Sequence, residues 1–356
     1  MVHHFEYVQK LTNVLKKAKQ DGKLKIGFIG GSITQGCNPS LPENAYVERV
    51  TKWFKEKFPN MQIESINAGV GATGSLIGVH RVERDIIAYK PDLVFVEFAA
   101  NDVSPKQDTN ISYESLIRKL VINLPDTAIV EIFMTLETGE SAEEEEAQIA
   151  RHYHIPTVSY RQEVFRQMKL GSYTWKDIET DEVHPNDKGH GIVAGLIAEL
   201  MEAALSKEAG RTFDEEVPKA SLFGVPYIEG NLIEFKDLKI LESVGFEHTE
   251  ESFRTINTGY AVIEDADEAR FTCEVEGKNV FLLYVNGIEE NRAEVEIQVN
   301  GKSIMPLDTF FENGWGNYPE TYPLFSSDAK QKVTIEIKMP ASEKGKKLNL
   351  LGFLVS

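Results

Sequence analysis

The stretch Leu24-Lys-Ile-Gly-Phe-Ile-Gly-Gly-Ser32-Ile-Thr34 decides the fold of the first half of this chain. Its first seven residues read as a short buried strand, and a pair of glycines then turns the chain into a helix beginning near Ser32. Near-continuous apolar strands separated by helices predict a parallel sheet that is covered by helices on both faces. A three-layer α/β domain is therefore expected, because the same pattern recurs at 62–67, 93–98, 128–134 and 156–159. Helices are predicted at 5–20, 43–58 and 187–206.

From about residue 220 onward, the chain changes to short segments in which apolar and polar residues alternate. Such alternation is typical of antiparallel strands, and Asn300-Gly301 predicts a tight hairpin turn between two of them. We expect an antiparallel β-sandwich of jelly-roll type. Because 356 residues exceed what a single core usually holds, the predicted domains are an α/β domain over 1–208, a connector over 209–222 and the β-sandwich over 223–356. The predicted strands of the β-sandwich are 231–235, 260–263, 269–275, 280–285, 293–299, 332–338 and 348–354.

The composition excludes several classes of protein. Hydrophobic residues make up 42% and charged residues 26% of the chain, as in ordinary globular proteins. A net charge of −18 argues against binding to a nucleic-acid backbone. The start lacks the apolar core of a signal peptide and no run approaches a membrane span, so a cytoplasmic protein without membrane contact is expected. Cys37 and Cys273 are expected to be plain thiols in a reducing compartment.

Polar side chains stand at the ends of the predicted parallel strands. Ser32 follows the first strand, the glycine-rich segment 69–74 follows the second and Asn101 follows the third. Asp181 and His184 lie in a loop just before the last helix of the α/β domain. Because the carboxyl ends of parallel strands share one edge of a sheet, four loops are expected to converge on one rim.

These residue types together predict nucleophilic catalysis by a serine. His184 would accept the Ser32 proton and later pass it to a leaving alcohol, while Asp181 would bond the other ring nitrogen and fix the tautomer. An oxyanion would find donors in the backbone N–H groups of Ser32 and Gly71 and in the Asn101 side-chain amide. No cofactor or metal ion is required by this chemistry. Calcium binding by acidic residues of the β-sandwich remains open, since it needs no local motif.

Simpler interpretations exist for each residue taken alone. Ser32 could be a helix cap, Asn101 a turn residue and His184 an ordinary loop histidine. A rival function is nucleotide binding, because residues Gly69 to Gly74 fit G-x-G-x-x-G and Glu97 could be the ribose-binding acid. The rival places the motif on the second strand rather than the first. It also leaves the Ser32 and Asp181/His184 motifs unexplained.

Four blocks of this sequence resemble, in order and spacing, those of the SGNH (GDSL-like) hydrolases. The resemblance covers roughly the first 205 residues and implies a Ser32 nucleophile, a triad completed by Asp181 and His184, and an oxyanion hole that includes Gly71 and Asn101. Gly69 and Gly74 are alternatives to Gly71 as the glycine of the oxyanion hole. Two departures are Gly31, where the family has Asp, and Ala99, where it usually has Gly. The blocks are Gly30-Gly-Ser-Ile-Thr34, Asn67-Ala-Gly-Val-Gly-Ala-Thr-Gly74, Ala99-Ala-Asn-Asp102 and Asp181-Glu-Val-His-Pro-Asn-Asp187.

The domain order narrows the substrate that the resemblance implies. SGNH hydrolases include lipases, thioesterases, lysophospholipases and carbohydrate acetyl esterases, and this chain has no strongly apolar insertion that would suit a lipid. A catalytic domain followed by a β-sandwich is similar to the mannan acetyl esterases of carbohydrate esterase family seventeen. The implied substrates are acetylated manno-oligosaccharides. The alternatives are another ester, such as an acetylated xylo-oligosaccharide, a thioester or a lysophospholipid, and a non-catalytic sugar-binding protein.

Three aromatic residues are predicted to contact a sugar. Trp315 and Tyr318 belong to a glycine-containing aromatic segment, and exposed aromatic rings stack on the apolar faces of sugars. Trp175 could line the same cleft, although it could equally pack against the last helix of the catalytic domain. Phe310 and Phe311, in the same segment as Trp315, are interpreted as core residues. A homodimer is a further hypothesis that the sequence leaves open.

Overall fold

The computed structural model describes residues 6–103, 109–210, 218–249, 253–257, 259–264 and 266–356. By their internal contacts, the residues fall into two compact units, Met1–Ile228 and Glu229–Ser356. In the part of the chain that is described, no helix is both long and apolar enough to cross a membrane.

The first unit alternates strands and helices, and its strands form one parallel sheet in the order β2-β1-β3-β4-β5. In this order β1 lies between β2 and β3, and Gly30 at its end pairs with Gly69 and Glu97. The loops that carry Ser32, Gly71 and Asn101 therefore leave neighbouring strand ends. The strands are β1 (Lys23–Gly30), β2 (Gln62–Gly69), β3 (Leu93–Glu97), β4 (Ala128–Phe133) and β5 (Thr157–Ser159). The helices are α1 (Gln9–Asp21), α2 (Ser32–Gln35), α3 (Tyr46–Lys57), α4 (Ser75–Asp85), α5 (Thr109–Asn123), α6 (Glu143–His152), α7 (Tyr160–Lys169) and α8 (Asp187–Ser206).

Helices cover both faces of this sheet. Every residue of β3 and β4 is buried, and successive side chains of β3 point to opposite faces. Phe95 joins an apolar cluster with residues of α1, α3 and α8. Val94 and Val96 join another cluster with residues of α4 and α5. The prediction of a three-layer α/β domain is therefore confirmed.

Local signals explain where the helices of this unit begin and end. Helix α1 stops at Gly22, whose φ of +68° suits glycine. Helix α8 has the predicted bounds, and the Asn186 side chain caps its start by accepting the backbone N–H groups of Lys188 and Gly189. The predicted helix at 43–58 begins later, at Tyr46, because Pro42 opens a separate 3-10 turn.

The second unit is built from antiparallel strands, and the prediction of an antiparallel β domain is confirmed. Two predicted strands, 269–275 and 280–285, are parts of one continuous strand, with a register shift between Gly277 and Asn279. The predicted strand at 332–338 likewise extends back to Tyr318. The strands are β6 (Asn231–Ile233), β7 (Lys239–Val244), β8 (Phe246–Thr249), β9 (Gly259–Val262), β10 (Ala269–Asn286), β11 (Glu294–Val299), β12 (Lys302–Ser303), β13 (Leu307–Asp308), β14 (Tyr318–Met339) and β15 (Asn349–Val355).

Strand β10 changes partner along its length. Its first part, 270–274, pairs with β7, whereas 280–284 pairs with β15, and β14 lies along its other side. Side chains from β10, β14 and β15 form one apolar core, which includes Phe271, Ile335 and Phe353. The predicted hairpin turn is confirmed, since Asn300 and Gly301 have φ values of +52° and +74° between β11 and β12.

Residues 218–222 of the predicted connector belong to the first unit and contact its helix α5. The Arg118 guanidinium donates to the Pro218 carbonyl over 2.8 Å. The Glu114 carboxylate accepts backbone N–H groups from Leu222, Phe223 and Gly224. Residues 211–217 of the predicted connector lie outside the described residues.

Candidate active site

Ser32 stands at the strand-to-helix turn that the sequence predicts. It is the first residue of α2, is 8% exposed, and its Oγ lies 2.8 Å from His184 Nε2. Gly31 precedes it, and a Cβ at Gly31 would lie 2.2 Å from Asn101 Oδ1. A side chain at position 31 would therefore displace the Asn101 amide, so this structure requires glycine there.

His184 is held from its other side by Asp181. His184 Nδ1 lies 2.8 Å from Asp181 Oδ2, and Asp181 Oδ1 accepts the backbone N–H groups of Val183 and His184, each over 2.8 Å. Partial burial alone would raise the pKa of the Asp181 carboxyl, but these hydrogen bonds outweigh it and hold the pKa below its ordinary value. Asp181 is therefore ionised at neutral pH and can fix the tautomer of His184.

The loop that carries Asp181 has a partner that sequence reasoning missed. Asn38, just after α2, donates from Nδ2 to Asp181 Oδ2 over 3.0 Å and to Thr180 Oγ1 over 2.6 Å. Its backbone has a φ of +69°, which asparagine tolerates better than most residues. No local pattern marks such a residue, because the partner loop lies more than a hundred residues away.

Trp175 lies in the core, which differs from its predicted role. It is 5% exposed, its ring stacks on Phe165 with centroids 6.2 Å apart, and its Nε1–H donates to the Asp181 carbonyl over 2.8 Å. The ring therefore has little surface to offer a sugar. Trp175 packs on α7 rather than only on the last helix, and its indole N–H supports the loop that carries Asp181.

The predicted oxyanion residues lie beside Ser32. A Cβ at Gly71 would lie 3.8 Å from Ser32 Cβ, and the Asn101 amide lies against Gly31. However, the Gly71 N–H donates to Gln35 Oε1 over 2.7 Å, so this predicted donor already has an acceptor. Gln35 is a second residue that sequence reasoning missed.

A buried arginine braces the strand ends beneath these loops. The Arg81 guanidinium donates to the carbonyls of Gly30 and Ala68, at the ends of β1 and β2, over 3.0 Å and 2.5 Å. It is paired with Asp85 over 3.1 Å, which compensates its buried charge. This contact ties the strand that leads to Ser32 to the strand that leads to Gly71.

Glu97 does not have the environment of a nucleotide-binding acid. It is fully buried, and its Oε2 accepts the Thr34 hydroxyl over 2.8 Å. Burial raises the pKa of Glu97 to about 8, so the group is mainly protonated at neutral pH. Gly74, the last glycine of the G-x-G-x-x-G pattern, is required by Asp102, because a Cβ there would lie 2.4 Å from Asp102 Oδ1. These contacts contradict the nucleotide alternative.

The second unit presents an exposed aromatic pair. Trp315 is 69% exposed and stacks on Tyr318, with centroids 5.2 Å apart and rings inclined by 25°. The Tyr318 hydroxyl accepts a hydrogen bond from Asn286 Nδ2 over 3.1 Å, which fixes the lower ring. Phe311 packs edge-on against Tyr318 and, like Phe310, is half-buried. The pair forms a flat surface whose outer ring is free to contact another molecule.

The described ranges contain neither a disulfide bond nor a cluster of metal ligands. Cys37 and Cys273 are not joined in a disulfide bond. Across the described ranges, the structure contains no group of three His, Cys, Asp or Glu side chains arranged to hold a metal ion.

Comparison with known proteins relates the first unit to a family of hydrolases. Residues 28–192 match the model of the GDSL-like Lipase/Acylhydrolase family, so this part of the chain is similar to the hydrolase domains of that family. The match confirms the family resemblance that the four sequence blocks indicate.

Two solved structures resemble the whole chain. One is a two-domain esterase active on acetylated mannans, with a TM-score of 0.89, 26% identity and coverage of 99% of each chain. Another is a two-domain esterase of the same description, co-crystallised with mannopentaose, with a TM-score of 0.87, 26% identity and coverage of 99% of this chain and 98% of that one. The sequence is also 27% identical to an acetylxylan esterase of Geobacillus stearothermophilus, over 48% of this chain and 90% of that protein.

Proposed function

We propose that this protein is a serine esterase that removes O-acetyl groups from oligosaccharides, with acetylated manno-oligosaccharides as its substrates. One observation carries the catalytic part of the proposal. Ser32 Oγ, His184 and Asp181 form a continuous hydrogen-bonded chain, with contacts of 2.8 Å on each side of the imidazole ring. A serine, a base and an orienting carboxylate in this arrangement are the parts needed for acyl transfer.

The reaction follows from these contacts. His184 Nε2 takes the Ser32 proton as Oγ attacks the acetyl carbonyl, and the C=O electrons move onto oxygen. Collapse of this tetrahedral intermediate breaks the bond to the sugar oxygen, which receives the proton from His184 and leaves as a hydroxyl group. His184 then deprotonates a water that attacks acetyl-Ser32. Collapse of the second tetrahedral intermediate breaks the bond to Ser32 Oγ, which takes the proton back from His184, and acetate is released. Throughout, the ionised Asp181 stabilises the imidazolium form of His184.

The developing oxyanion requires hydrogen-bond donors near Ser32. The Ser32 N–H is at the start of α2, and the Asn101 amide lies against the adjacent Gly31. Removal of one such donor typically costs about 3 kcal/mol of transition-state stabilisation. We assign both groups to the oxyanion hole.

Two observations support a sugar ester as the substrate. Trp315 and Tyr318 offer an exposed aromatic surface of the kind that stacks on sugar rings. The similarity to an esterase active on acetylated mannans extends over nearly the whole chain and includes the second unit. The similarity to an acetylxylan esterase favours a second candidate, acetylated xylo-oligosaccharides, but is limited to about half of the chain.

A panel of acetylated manno-, xylo- and chito-oligosaccharides tests the substrate assignment, with acetyl loss followed by mass spectrometry. Manno-oligosaccharides should lose acetyl groups fastest. A clear preference for xylo-oligosaccharides would contradict the mannan assignment and leave the esterase intact. Turnover of an aryl acetate by the wild type, lost in His184→Ala, separates an esterase from a non-catalytic sugar-binding protein.

A further inference from the structure

The second active-site loop contains an alanine in a conformation that favours glycine. Ala72 has a φ of +59°, in the left-handed region that few non-glycine residues occupy. Backbone in such sparsely populated regions clusters at functional sites, where the surrounding structure holds it in place. Ala72 directly follows Gly71, whose Cβ position lies 3.8 Å from Ser32 Cβ.

The two successive N–H groups of this loop differ in their partners. The Gly71 N–H donates to Gln35 Oε1 over 2.7 Å. Among the residues that the structure describes, no acceptor pairs with the N–H of Ala72, and none pairs with that of Ser32. Ala72 is half-buried, and backbone N–H groups away from water normally have a partner. An unpaired N–H beside a nucleophile is therefore suited to a ligand.

Covalent geometry places the Ala72 N–H close to the reacting atoms. The Ala72 nitrogen is two bonds from Gly71 Cα, which corresponds to about 2.4 Å. It therefore lies on the same short stretch of backbone that approaches Ser32. The Gln35 amide, three residues after Ser32 on α2, fixes the preceding peptide and thereby the orientation of this one.

We propose that the oxyanion donor of this loop is the Ala72 N–H, and that Gln35 is a positioning residue that holds the Gly71 peptide. The inference rests on the proposed esterase activity and replaces Gly71 as the donor. Glycine at position 71 leaves room for this contact, because a Cβ there would lie 3.1 Å from Gln35 Oε1. Three donors would then face the acetyl oxygen: the N–H groups of Ser32 and Ala72 and the amide of Asn101.

Substitution of Gln35 gives opposite results for the two possible donors. If Ala72 is the donor, Gln35→Met removes the acceptor that holds the loop, and kcat for an aryl acetate should fall about tenfold or more with little change in KM. If Gly71 is the donor, Gln35 competes with the oxyanion for the same N–H. Its removal would then leave kcat unchanged or raise it, and that result would overturn the proposal.

Amide NMR of a tetrahedral adduct identifies the donor directly and does not depend on the effect of a mutation. The wild-type protein is labelled with 15N-alanine and 15N-glycine, and methylboronic acid is bound to Ser32 as a mimic of the tetrahedral intermediate. The Ala72 resonance is assigned by its loss in Ala72→Gly, and that of Gly71 by its loss in Gly71→Ala. On adduct formation, the Ala72 amide proton should shift downfield while that of Gly71 changes little. A downfield shift at Gly71 alone would overturn the Ala72 assignment and leave the esterase intact, whereas failure to form any adduct at Ser32 would contradict both.

Discussion

Asn38 donates a hydrogen bond to the Asp181 oxygen that lies nearer to the His184 imidazole. Its Nδ2 donates to Asp181 Oδ2 over 3.0 Å, and the same oxygen lies 2.8 Å from His184 Nδ1. The other oxygen is held by the backbone N–H groups of Val183 and His184. The carboxylate is thus fixed from several directions before it orients His184.

Loss of the Asn38 amide should lower activity without unfolding the protein. A hydrogen bond to a charged group contributes about 1.5–3 kcal/mol, and partial exposure reduces this, so Asn38→Gly should lower kcat by up to about tenfold. Glycine tolerates the φ of +69° at this position, so the variant isolates the amide from the backbone. Asn38→Ala should show the same loss of kcat and, in addition, a lower melting temperature. Wild-type kcat in Asn38→Gly would show that the contact does not support catalysis.

Removal of the charge on Asp181 should lower kcat far more than loss of the Asn38 amide. Asp181→Asn should lower kcat by about 10³–10⁴-fold at neutral pH, because a neutral amide cannot stabilise the imidazolium and favours the wrong tautomer. Asp177→Asn is a matched control, since Asp177 caps a neighbouring turn through Thr174 and makes no contact with His184 among the described residues. Steady-state rates with an aryl acetate measure both variants. Comparable rates for the two would contradict the role assigned to Asp181.

Glu97 should make stability depend on pH. Its pKa is about 8 in the folded protein against an ordinary value of 4.5, so its stabilising effect is complete below about pH 4.5 and is lost as the pH rises toward 8. Glu97→Gln keeps an acceptor for the Thr34 hydroxyl but has no proton to lose. The unfolding free energy of the variant relative to wild type should therefore rise between pH 5 and pH 8, by at most about 1.4 kcal/mol per pH unit. Urea unfolding at each pH measures it, with exposed Glu56→Gln as the control, and a pH-independent difference would argue against a buried, protonated Glu97.

Trp315 should affect oligosaccharides but not small esters. Trp315→Ala removes the exposed ring that stacks on Tyr318, and KM for acetylated oligosaccharides should rise by up to about tenfold, since aromatic stacking contributes roughly 0.5–1.5 kcal/mol. The kinetics with an aryl acetate should not change. Met305→Ala, another exposed apolar residue of the same unit, is the control. Equal KM values for wild type and Trp315→Ala would separate this aromatic pair from substrate binding.

Local patterns predicted much of the fold. Apolar strands followed by helices identified the parallel sheet, and the bounds of helix α8 agree because Asn186 and the apolar periodicity that follows are local signals. The sequence also identified Ser32, Asp181 and His184, which the structure brings into hydrogen-bonding contact. Strands β10 and β14 were predicted too short, because a glycine and polar residues at a bend resemble a turn when the pairing strand is unknown.

Residues whose roles depend on distant partners were not predictable in the same way. Asn38 and Gln35 show no motif, and their contacts with Asp181 and Gly71 arise only when separate loops meet at the sheet edge. The sequence left two roles open for Trp175 for the same reason, because the exposure of an aromatic side chain depends on what packs over it. Backbone features such as the left-handed Ala72 are equally invisible when the residue is not glycine.

Acetate release from acetylated manno-oligosaccharides, measured for wild type and Ser32→Ala, tests the central claim most directly. Ser32→Ala should keep the melting temperature and circular dichroism spectrum of the wild type, because the hydroxyl contributes one partly buried contact to His184. The wild type should release acetate, and the rate of the variant should be lower by at least about 10³-fold. Acetate release by folded Ser32→Ala at the wild-type rate would contradict the account.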